Sequence, residues 1–250
     1  MPDNTPRDGA TARRVMVAMA HPDDAEFICA GTVARWASEG QEIVFVLGTS
    51  GDKGSDDPEM TSETLVATRE EEQRAACAVL GVAEVVFLRM RDAELVPDLA
   101  MRRELTRVIR QYRPDVIICQ DPTARWEGSG YLQHPDHLAM GEATLAAVFP
   151  SARDRLTFPE LLAEGLEPHK VGEVYIASSQ HNCDHFVDIS AHLETKLAAL
   201  AEHHSQMGDW DFRPMLTRWA RDVAADARFK SFPGAEEMEF AESYKYLKLD

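Results

Sequence analysis

The sequence predicts an α/β fold with a Rossmann-like parallel sheet flanked by helices, followed by a less regular C-terminal extension. Short β-branched apolar runs alternate with segments of helical periodicity over residues 15–204. The apolar runs are continuous, which is typical of strands buried on both faces of a parallel sheet. Strands joined by helices in this way form parallel sheets with right-handed crossovers. Beyond Ser205 the periodicity weakens, so we expect less regular structure there.

Local signals mark where the predicted elements begin and end. The second strand ends at a loop rich in glycine, serine and aspartate over residues 48–58. Thr61 or Ser62 caps the helix that follows, and Gly81 ends that helix. The predicted strands cover residues 15–20, 43–47, 85–88, 116–119, 174–177 and 186–189. The predicted helices cover residues 27–38, 62–80, 98–112, 137–149 and 191–204, and Pro150 ends the fourth of them.

Length and composition exclude several classes of function. The 250 residues, 44% of them hydrophobic, can fill the core of one domain. We expect this domain to span the whole chain, with residues 1–12 as a flexible tail. The 43 acidic and 26 basic residues give a net charge of −17, spread along the chain. This charge repels phosphate backbones and anionic lipids, so neither nucleic acid nor a membrane surface is an expected partner.

The cysteines and the N-terminus indicate a cytoplasmic protein. The four cysteines lie far apart without a C-x-x-C pair, as in proteins of a reduced compartment. The first residues are polar, and no segment reaches the length of about 18 apolar residues that a membrane helix needs. The sequence leaves the oligomeric state open between a monomer and a homo-oligomer.

Two short segments carry histidines beside aspartates after predicted strands. His21 and Asp24 follow the first strand, and His137 follows the strand over residues 116–119 after a longer loop. In open α/β sheets, ligands bind beyond the carboxyl ends of the strands, where the strand order reverses. Because both segments occupy that position, we expect them to meet at one rim of the sheet.

The residue types in these segments suit a catalytic metal site. His21 and Asp24, three residues apart on the turn after a strand, can direct an imidazole and a carboxylate at one point, and His137 can supply a third ligand. Two nitrogens and one oxygen leave a position for water, as in catalytic rather than structural zinc sites. We therefore expect one Zn²⁺, or another divalent metal ion, in each subunit. The alternative is that an aspartate of this segment only caps a helix.

The other residues of the two segments have the properties of acid–base groups. Asp23 cannot easily bind the same ion as Asp24, and it is the candidate general base that takes a proton from an attacking water. His134 can stand on the other side of a reacting carbonyl, as a cation or proton donor for the oxyanion or the leaving amine. Asp136 can fix the tautomer and orientation of one imidazole. This set of groups predicts hydrolysis of an amide.

The chain resembles the LmbE-like, or PIG-L, family of zinc-dependent N-acetylglucosaminyl deacetylases. The family signature is A-H-P-D-D-x-E followed in mid-chain by H-P-D-H, and both motifs are present here, at residues 20–26 and 134–137. The resemblance covers nearly the whole chain. It extends through Gly31-Thr32, residues 48–54, Arg69, Asp92, Asp121-Pro122, residues 204–206 and residues 241–244. It implies a deacetylase acting on a small amino sugar, with the roles given above for the residues of the two motifs.

Contacts to the substrate are implied by the resemblance alone. Arg69 and Asp92 match positions that contact sugar hydroxyls in relatives, although Arg69 also suits a salt bridge on a helix and Asp92 suits a turn. Some relatives have a tyrosine that stabilises the transition state two residues before the first histidine of H-P-D-H, where this chain has Leu132. Tyr131 is the substitute candidate, and it reaches the site only if the loop is shifted.

Three functions compete. The favoured one is hydrolysis of an N-acetyl amino sugar, with an amidase acting on a non-sugar or thiol-conjugate amide as its variant. The second is a non-haem Fe(II) oxygenase, because two histidines and one carboxylate also form the facial triad of those enzymes. The third is a nucleotide-binding module on a Rossmann-like sheet. The turn after the first strand lacks G-x-G-x-x-G, however, and has aspartates where a pyrophosphate needs amides and positive charge.

Overall fold

The fold is built on a mixed central sheet with helices on both faces. The computed structural model describes residues 12–127, 129–177 and 182–249, so the predicted flexible tail lies outside the described residues except for Ala12. Within these residues, seven strands form the central sheet and two short strands form a hairpin. The strands are β1 (Arg14–Met19), β2 (Glu42–Thr49), β3 (Glu84–Met90), β4 (Val116–Gln120), β5 (Trp126–Glu127), β6 (Tyr131–Leu132), β7 (Glu173–Ala177), β8 (His185–Asp188) and β9 (Ala241–Lys248). The helices are α1 (Asp24–Ile28), α2 (Ala30–Ser38), α3 (Ser62–Leu80), α4 (Leu99–Tyr112), α5 (Pro135–Ala146), α6 (Glu160–Ala163), α7 (Leu193–Ala201), α8 (His204–Met207) and α9 (Arg213–Phe229).

The strand order places a switch point beside β1. The order across the sheet is β3-β2-β1-β4-β7-β9-β8, and the first five of these strands are parallel neighbours. The chain moves outward from β1 to β2 and β3, then returns to place β4 on the other side of β1. Open α/β sheets form their ligand crevice at such a point. The predicted Rossmann-like α/β class is therefore confirmed.

The C-terminal extension is more regular than the sequence indicates, and it makes the sheet mixed. β9 lies between β7 and β8 and runs antiparallel to both. The sequence shows no continuous apolar run for β9, because its buried side chains include that of Glu242. This carboxylate pairs with Lys196 and caps the first turn of α2. α9 packs largely through small residues, including Ala220, Ala224 and Ala227, which give a weak apolar signal. The parallel arrangement holds for five of the seven strands.

Two helices begin earlier than predicted. The helix expected over residues 27–38 is divided at Cys29, and its first part begins at Asp24. The helix expected over residues 137–149 begins at Pro135, and a π-helical turn, Ala147–Ser151, follows it. Both shifts place the aspartate–histidine segments on the first turns of helices that start at the rim of the sheet.

β1 is buried on both faces, as its continuous apolar run predicts. Val15 and Val17 pack into the core on one face of the sheet, whereas Met16 and Ala18 pack into the core on the other. Because β1 lies between β2 and β4 and is covered on both sides, the residues that directly follow it are held at a fixed position. Ala20 is the first of them, and His21 follows it.

Two further observations concern the burial of the cysteines and the length and apolar content of the helices. All four cysteines are buried thiols, in keeping with small apolar residues. Among the described residues, no helix has the length and apolar content to cross a lipid bilayer.

Candidate metal centre

The structure brings the two aspartate–histidine segments together at the switch point. His21 lies two residues after the end of β1, and Asp24 begins α1. His137 lies on the first turn of α5, which follows β4 after the hairpin β5–β6. β1 and β4 are paired neighbours, so their carboxyl ends present both segments to the same crevice. The predicted meeting of residues more than a hundred positions apart is thus observed.

Three side chains direct ligand atoms at one point. His21 Nδ1 lies 3.3 Å from His137 Nε2. One oxygen of Asp24 lies 3.0 Å from His137 Nε2, and the other lies 3.4 Å from His21 Nδ1. In a tetrahedral zinc site with bonds of about 2.0–2.1 Å, the ligand atoms are about 3.3 Å apart. The spacing of these three donors therefore fits a small divalent ion with a fourth position left open.

His21 also belongs to two other groups of potential ligands. One consists of His21, His134 and His137, and the other of His21, Asp92 and Asp136. In the first, Nδ1 of His134 already accepts the backbone N–H of Asp136 at 3.2 Å. In the second group, Asp92 and Asp136 face Nε2 of His21, whereas His137 and Asp24 face its Nδ1. We therefore favour the set with Asp24, whose two oxygens lie within 3.4 Å of His21 Nδ1 and His137 Nε2, one oxygen beside each ring.

The electrostatic field at this point favours positive charge. Burial alone would lower the pKa of His21, but hydrogen bonds to Asp136, Asp24 and Asp92 raise it to about 12. Burial also opposes ionisation of Asp24, yet His137 and His21 hold the pKa of its carboxyl well below the usual range. A divalent cation satisfies the same cluster of carboxylates that otherwise retains a proton on the imidazole.

Two buried carboxylates support His21 from behind. Its Nε2 lies 3.0 Å from Asp92 Oδ1 and 3.3 Å from Asp136 Oδ2. Asp136 is fully buried and also accepts backbone N–H groups from Ala93, at 2.7 Å, and Leu95, at 3.2 Å. Metal-binding histidines commonly donate their second N–H to a carboxylate in this manner. Asp136 thus contacts an imidazole as the sequence predicts, and Asp92 stands beside it.

His137 has a different support, the neutral side chain of Gln133. Nδ1 of His137 lies 2.8 Å from Gln133 Oε1, and the hydroxyl of Tyr131 donates to the same oxygen at 3.0 Å. Tyr131 and Gln133 share one face of the hairpin because side chains alternate along a strand. Leu132 points the other way and is 80% exposed. Tyr131 is therefore on the same side as the centre, linked to it through Gln133.

Asp23 lies beside the three donors but does not cap the helix that it precedes. It is the N-cap residue of α1, yet its side chain makes no capping hydrogen bond and its φ is 82°. One carboxylate oxygen instead accepts from Arg69 Nη2 at 3.1 Å. Burial raises the pKa of Asp23 to about 6, against the opposing charge of Arg69. These contacts argue against the helix-cap alternative, at least for this aspartate.

Arg69 is almost fully buried and is fixed by hydrogen bonds within the protein. Its guanidinium donates to Pro22 O at 2.9 Å and to Gly51 O at 3.1 Å, in addition to Asp23. Gly51 has a φ of +67°, and a Cβ there would lie 2.0 Å from Arg69 Nη1. The structure thus gives Arg69 and Asp92 partners inside the protein, and their contact with substrate hydroxyls stays a prediction.

His134 stands across the centre with a defined tautomer. Its ring lies edge-on to His21, with ring centroids 4.7 Å apart. Because Nδ1 accepts the N–H of Asp136, the neutral ring carries its hydrogen on Nε2. Burial, together with the neighbouring His21 ring, lowers the pKa of His134, which favours this neutral form. A ring in this form can donate one hydrogen bond from Nε2.

Three glutamines near the centre were not identified from the sequence. Gln133 contacts His137, Gln120 donates to Asp24 Oδ2 at 3.0 Å, and Gln73 accepts from the backbone of Asp23 at 3.1 Å. Neutral amides belong to no charge pattern and no short motif. For Gln120 a signal existed, since a polar residue ends an otherwise apolar buried strand.

Comparison with known proteins agrees with this geometry. The family model of PIG-L, GlcNAc-PI de-N-acetylase, matches residues 16–148. A diacetylchitobiose deacetylase of Thermococcus kodakarensis is 33% identical over 78% of this chain and 70% of its own length. A 1D-myo-inositol 2-acetamido-2-deoxy-alpha-D-glucopyranoside deacetylase of Actinosynnema mirum is 30% identical over 79% of this chain and 82% of its own. Among solved structures, N,N'-diacetylchitobiose deacetylase from Pyrococcus horikoshii superimposes with a TM-score of 0.81 and 27% identity, covering 95% of this chain and 84% of that one.

Proposed function

This chain belongs to the PIG-L (GlcNAc-PI de-N-acetylase) family, and we propose that it is a metal-dependent hydrolase that removes the acetyl group from an N-acetylglucosamine-type substrate. The observation that carries the proposal is the convergence of His21, Asp24 and His137 on one point, with Asp23 beside them. The relatives at 30% identity and above are deacetylases of N-acetyl sugars by name, which supports the substrate class.

We propose that His21, Asp24 and His137 hold the metal ion, which is zinc or another divalent metal. When bound, such an ion supplies Lewis acidity and lowers the pKa of a coordinated water to about 7. The neutral imidazoles and the single ligand carboxylate leave a net positive charge where the acetyl oxygen is expected to lie. The carboxylates of Asp92 and Asp136 behind His21 keep that ring oriented.

The proton transfers fall to the side chains on either side of the centre. Asp23 accepts a proton from the attacking water as its oxygen bonds to the acetyl carbon. His134 stays neutral and donates a hydrogen bond from Nε2 to the developing oxyanion. When the C–N bond breaks, the proton held by Asp23 passes to the sugar nitrogen, and the products are the amine and acetic acid. The second proton of the water leaves with the acid, which protonates the amine at neutral pH to give an ammonium group and acetate. One water is consumed, and both carboxylate and imidazole return to their starting forms.

The environment of the enzyme is part of the proposal. The net charge of −17 supports a small-molecule substrate rather than a polyanionic partner. The buried thiols support a reduced compartment, and we propose that this is the cytoplasm.

The test combines metal analysis with an amine-release screen of the purified protein. The substrates are N-acetylglucosamine, diacetylchitobiose and N-acetylglucosaminides of inositol and malate. We expect one divalent ion per chain and release of a primary amine from at least one substrate. Asp23→Ala should keep the ion and lower kcat by about 10²–10⁴, the usual contribution of a general base. Asp222→Ala, at an exposed position on α9, is the matched control and should behave as wild type.

The screen also separates the competing functions. Loss of the metal in Asp23→Ala would reassign that residue as a ligand. Turnover that requires oxygen would favour the Fe(II) oxygenase, and tight nucleotide binding by metal-free protein would favour the binding module. A non-sugar N-acetyl amide is added to the screen for the amidase variant, and release of an amine from that compound only would restrict the proposal to the amidase.

A further inference from the structure

The backbone of Asp23 has a conformation that is uncommon for any residue other than glycine. Its φ of 82° is in the left-handed region, which residues with a side chain adopt rarely. Aspartates that occupy an N-cap position usually bond their side chain to the helix, but that of Asp23 makes no such bond. The conformation must therefore be maintained by contacts from other parts of the chain.

One such contact is made by Gln73 in the middle of α3. The backbone N–H of Asp23 donates to Gln73 Oε1 at 3.1 Å. The amide nitrogen of Gln73 donates to Glu26 Oε1 at 2.8 Å. Gln73 and Glu26 are both fully buried. The side chain of Gln73 thus bridges the start of α1 and its next turn, with its oxygen and nitrogen each fixed by a different partner.

The position of Gln73 is itself secured by the segment that follows α7. His203 is fully buried, and its Nε2 lies 3.5 Å from the second oxygen of Glu26. Ser205 donates through its backbone N–H and its hydroxyl to the two oxygens of Glu72, each at 2.7 Å. Glu72 directly precedes Gln73, so these bonds hold α3 at the point where it meets α1. Ser205, which belongs to the stretch 204–206 included in the family resemblance, thereby gains a structural connection to Asp23 through Glu72 and Gln73.

We propose that Gln73 is a positioning residue for the reaction: it keeps Asp23 in the left-handed conformation in which the carboxylate is bonded to Arg69 rather than to the start of α1. This inference rests on the proposed function, because it assigns Asp23 the role of base. Gln73 touches neither the three proposed metal ligands nor the place of the substrate, and it acts only through Asp23.

The test is the variant Gln73→Met, which retains the length of the side chain and removes both hydrogen bonds. Cys77→Ala is the matched control: it removes a buried side chain one turn along α3, together with the long contact of Gln73 Nε2 to Cys77 Sγ at 3.7 Å, and it leaves the bonds of Gln73 to Asp23 and Glu26. The readouts are metal content, kcat and KM measured separately, and crystal structures of both variants. Displacing a reacting group by about 1 Å can cost about 10²-fold in rate. We expect Gln73→Met to lower kcat at least about tenfold with unchanged KM and metal content, and its structure to show Asp23 outside the left-handed region.

Two results would overturn the inference. One is an unchanged kcat in Gln73→Met, even if its melting temperature falls, because that would make Gln73 a purely structural residue. The other is a crystal structure of Gln73→Met in which Asp23 keeps its conformation. If the wild-type protein hydrolyses no N-acetyl amine, the proposed function fails, while the crystal structures still decide whether Gln73 fixes the backbone of Asp23.

Discussion

The two imidazoles of the candidate centre are supported in different ways. Behind His21 stand the buried carboxylates of Asp92 and Asp136, which are 6% and 0% exposed. Behind His137 stands the neutral amide of Gln133, which follows a hairpin whose Tyr131 is 52% exposed. One ring is thus oriented by charge within the core of the molecule, and the other by a dipole near its surface.

This difference indicates separate tasks for the two halves of the centre. A carboxylate behind a ligand imidazole makes the ring more basic and adds negative charge near the ion, so it contributes to affinity. A neutral amide fixes the tautomer of the ring with little change in charge. We therefore expect the His21 side to determine how tightly the metal binds. The His137 side, next to the hairpin, can then respond to the substrate without a large change in metal affinity.

The largest loss of metal affinity is expected when one of the proposed ligand imidazoles is itself removed. His137→Ala should lower metal affinity by more than about 100-fold. That factor is the largest loss typical of mutating a side chain that only supports a metal ligand, and here the ligand itself is removed. Metal content after dialysis against a weak chelator measures this, with His192→Ala, the N-cap residue of α7, as control. Retention of one ion per chain by His137→Ala would remove that ring from the proposed ligand set.

Loss of the negative charge of Asp136 behind His21 should lower metal affinity nearly as much. Asp136→Asn keeps the shape of the side chain but removes a negative charge behind His21 and leaves one acceptor oxygen for three donors. We expect metal affinity to fall about 10–100-fold. Competition with a chromophoric chelator gives the dissociation constant, and Asp115→Asn, which alters a backbone contact to Arg14 elsewhere, is the matched control. An affinity equal to wild type would mean that charge behind His21 is not what secures the ion.

Metal binding should depend on pH through His21. Its pKa of about 12 means that the metal-free ring is protonated at pH 8, whereas a ligand ring must be neutral. Binding should therefore release about one proton, and apparent affinity should fall about tenfold for each unit by which pH is lowered. Calorimetry at pH 8 in buffers of different ionisation enthalpy measures the release. A binding enthalpy independent of buffer would show that His21 is neutral before the metal binds.

The smallest effect on metal affinity is expected when Gln133, the amide behind His137, is replaced. Gln133→Leu removes the acceptor for His137 Nδ1 and should lower metal affinity about tenfold or less, toward the lower end for an outer partner. Gln133→Glu makes this support resemble that of His21 and should raise affinity instead. The same chelator competition measures both, with Gln41→Leu as an exchange that alters only a backbone contact to Arg13. If Gln133→Leu proved as damaging as Asp136→Asn, the two supports would be equivalent.

The sequence predicts the residues that carry charge, including Asp136 behind His21, and misses the neutral amides that orient them. His21, Asp24 and His137 stand out because metal-binding side chains follow the ends of apolar strands, and the structure brings their donor atoms within 3.4 Å. Gln133 and Gln73 do not stand out, since their importance depends on contacts between residues that are close only after folding. A neutral amide in a helix or beside a hairpin resembles any solvent-exposed polar residue until its partners are known.

The fold shows the same limit in its C-terminal part. Strands that are apolar throughout, such as β1 and β4, are evident from the sequence because both faces are buried. β9 is not evident, since it carries the buried charge of Glu242, and distant partners make that burial favourable, among them Lys196 and the backbone N–H groups of Gly31 and Thr32. Long-range pairing of polar groups is therefore the information that local patterns lack.

The place of β9 between β7 and β8 also determines the order in which the molecule can be assembled on the ribosome. The parallel strands β1, β2, β3, β4 and β7 are all synthesised before residues 241–248, but β8 pairs with β9 and has to wait for it. Until then the nascent sheet presents the open edge of β7, a surface prone to wrong pairing with other chains. The residues around the metal centre are thus made early, while the strand that closes the sheet beside them arrives last of the described elements.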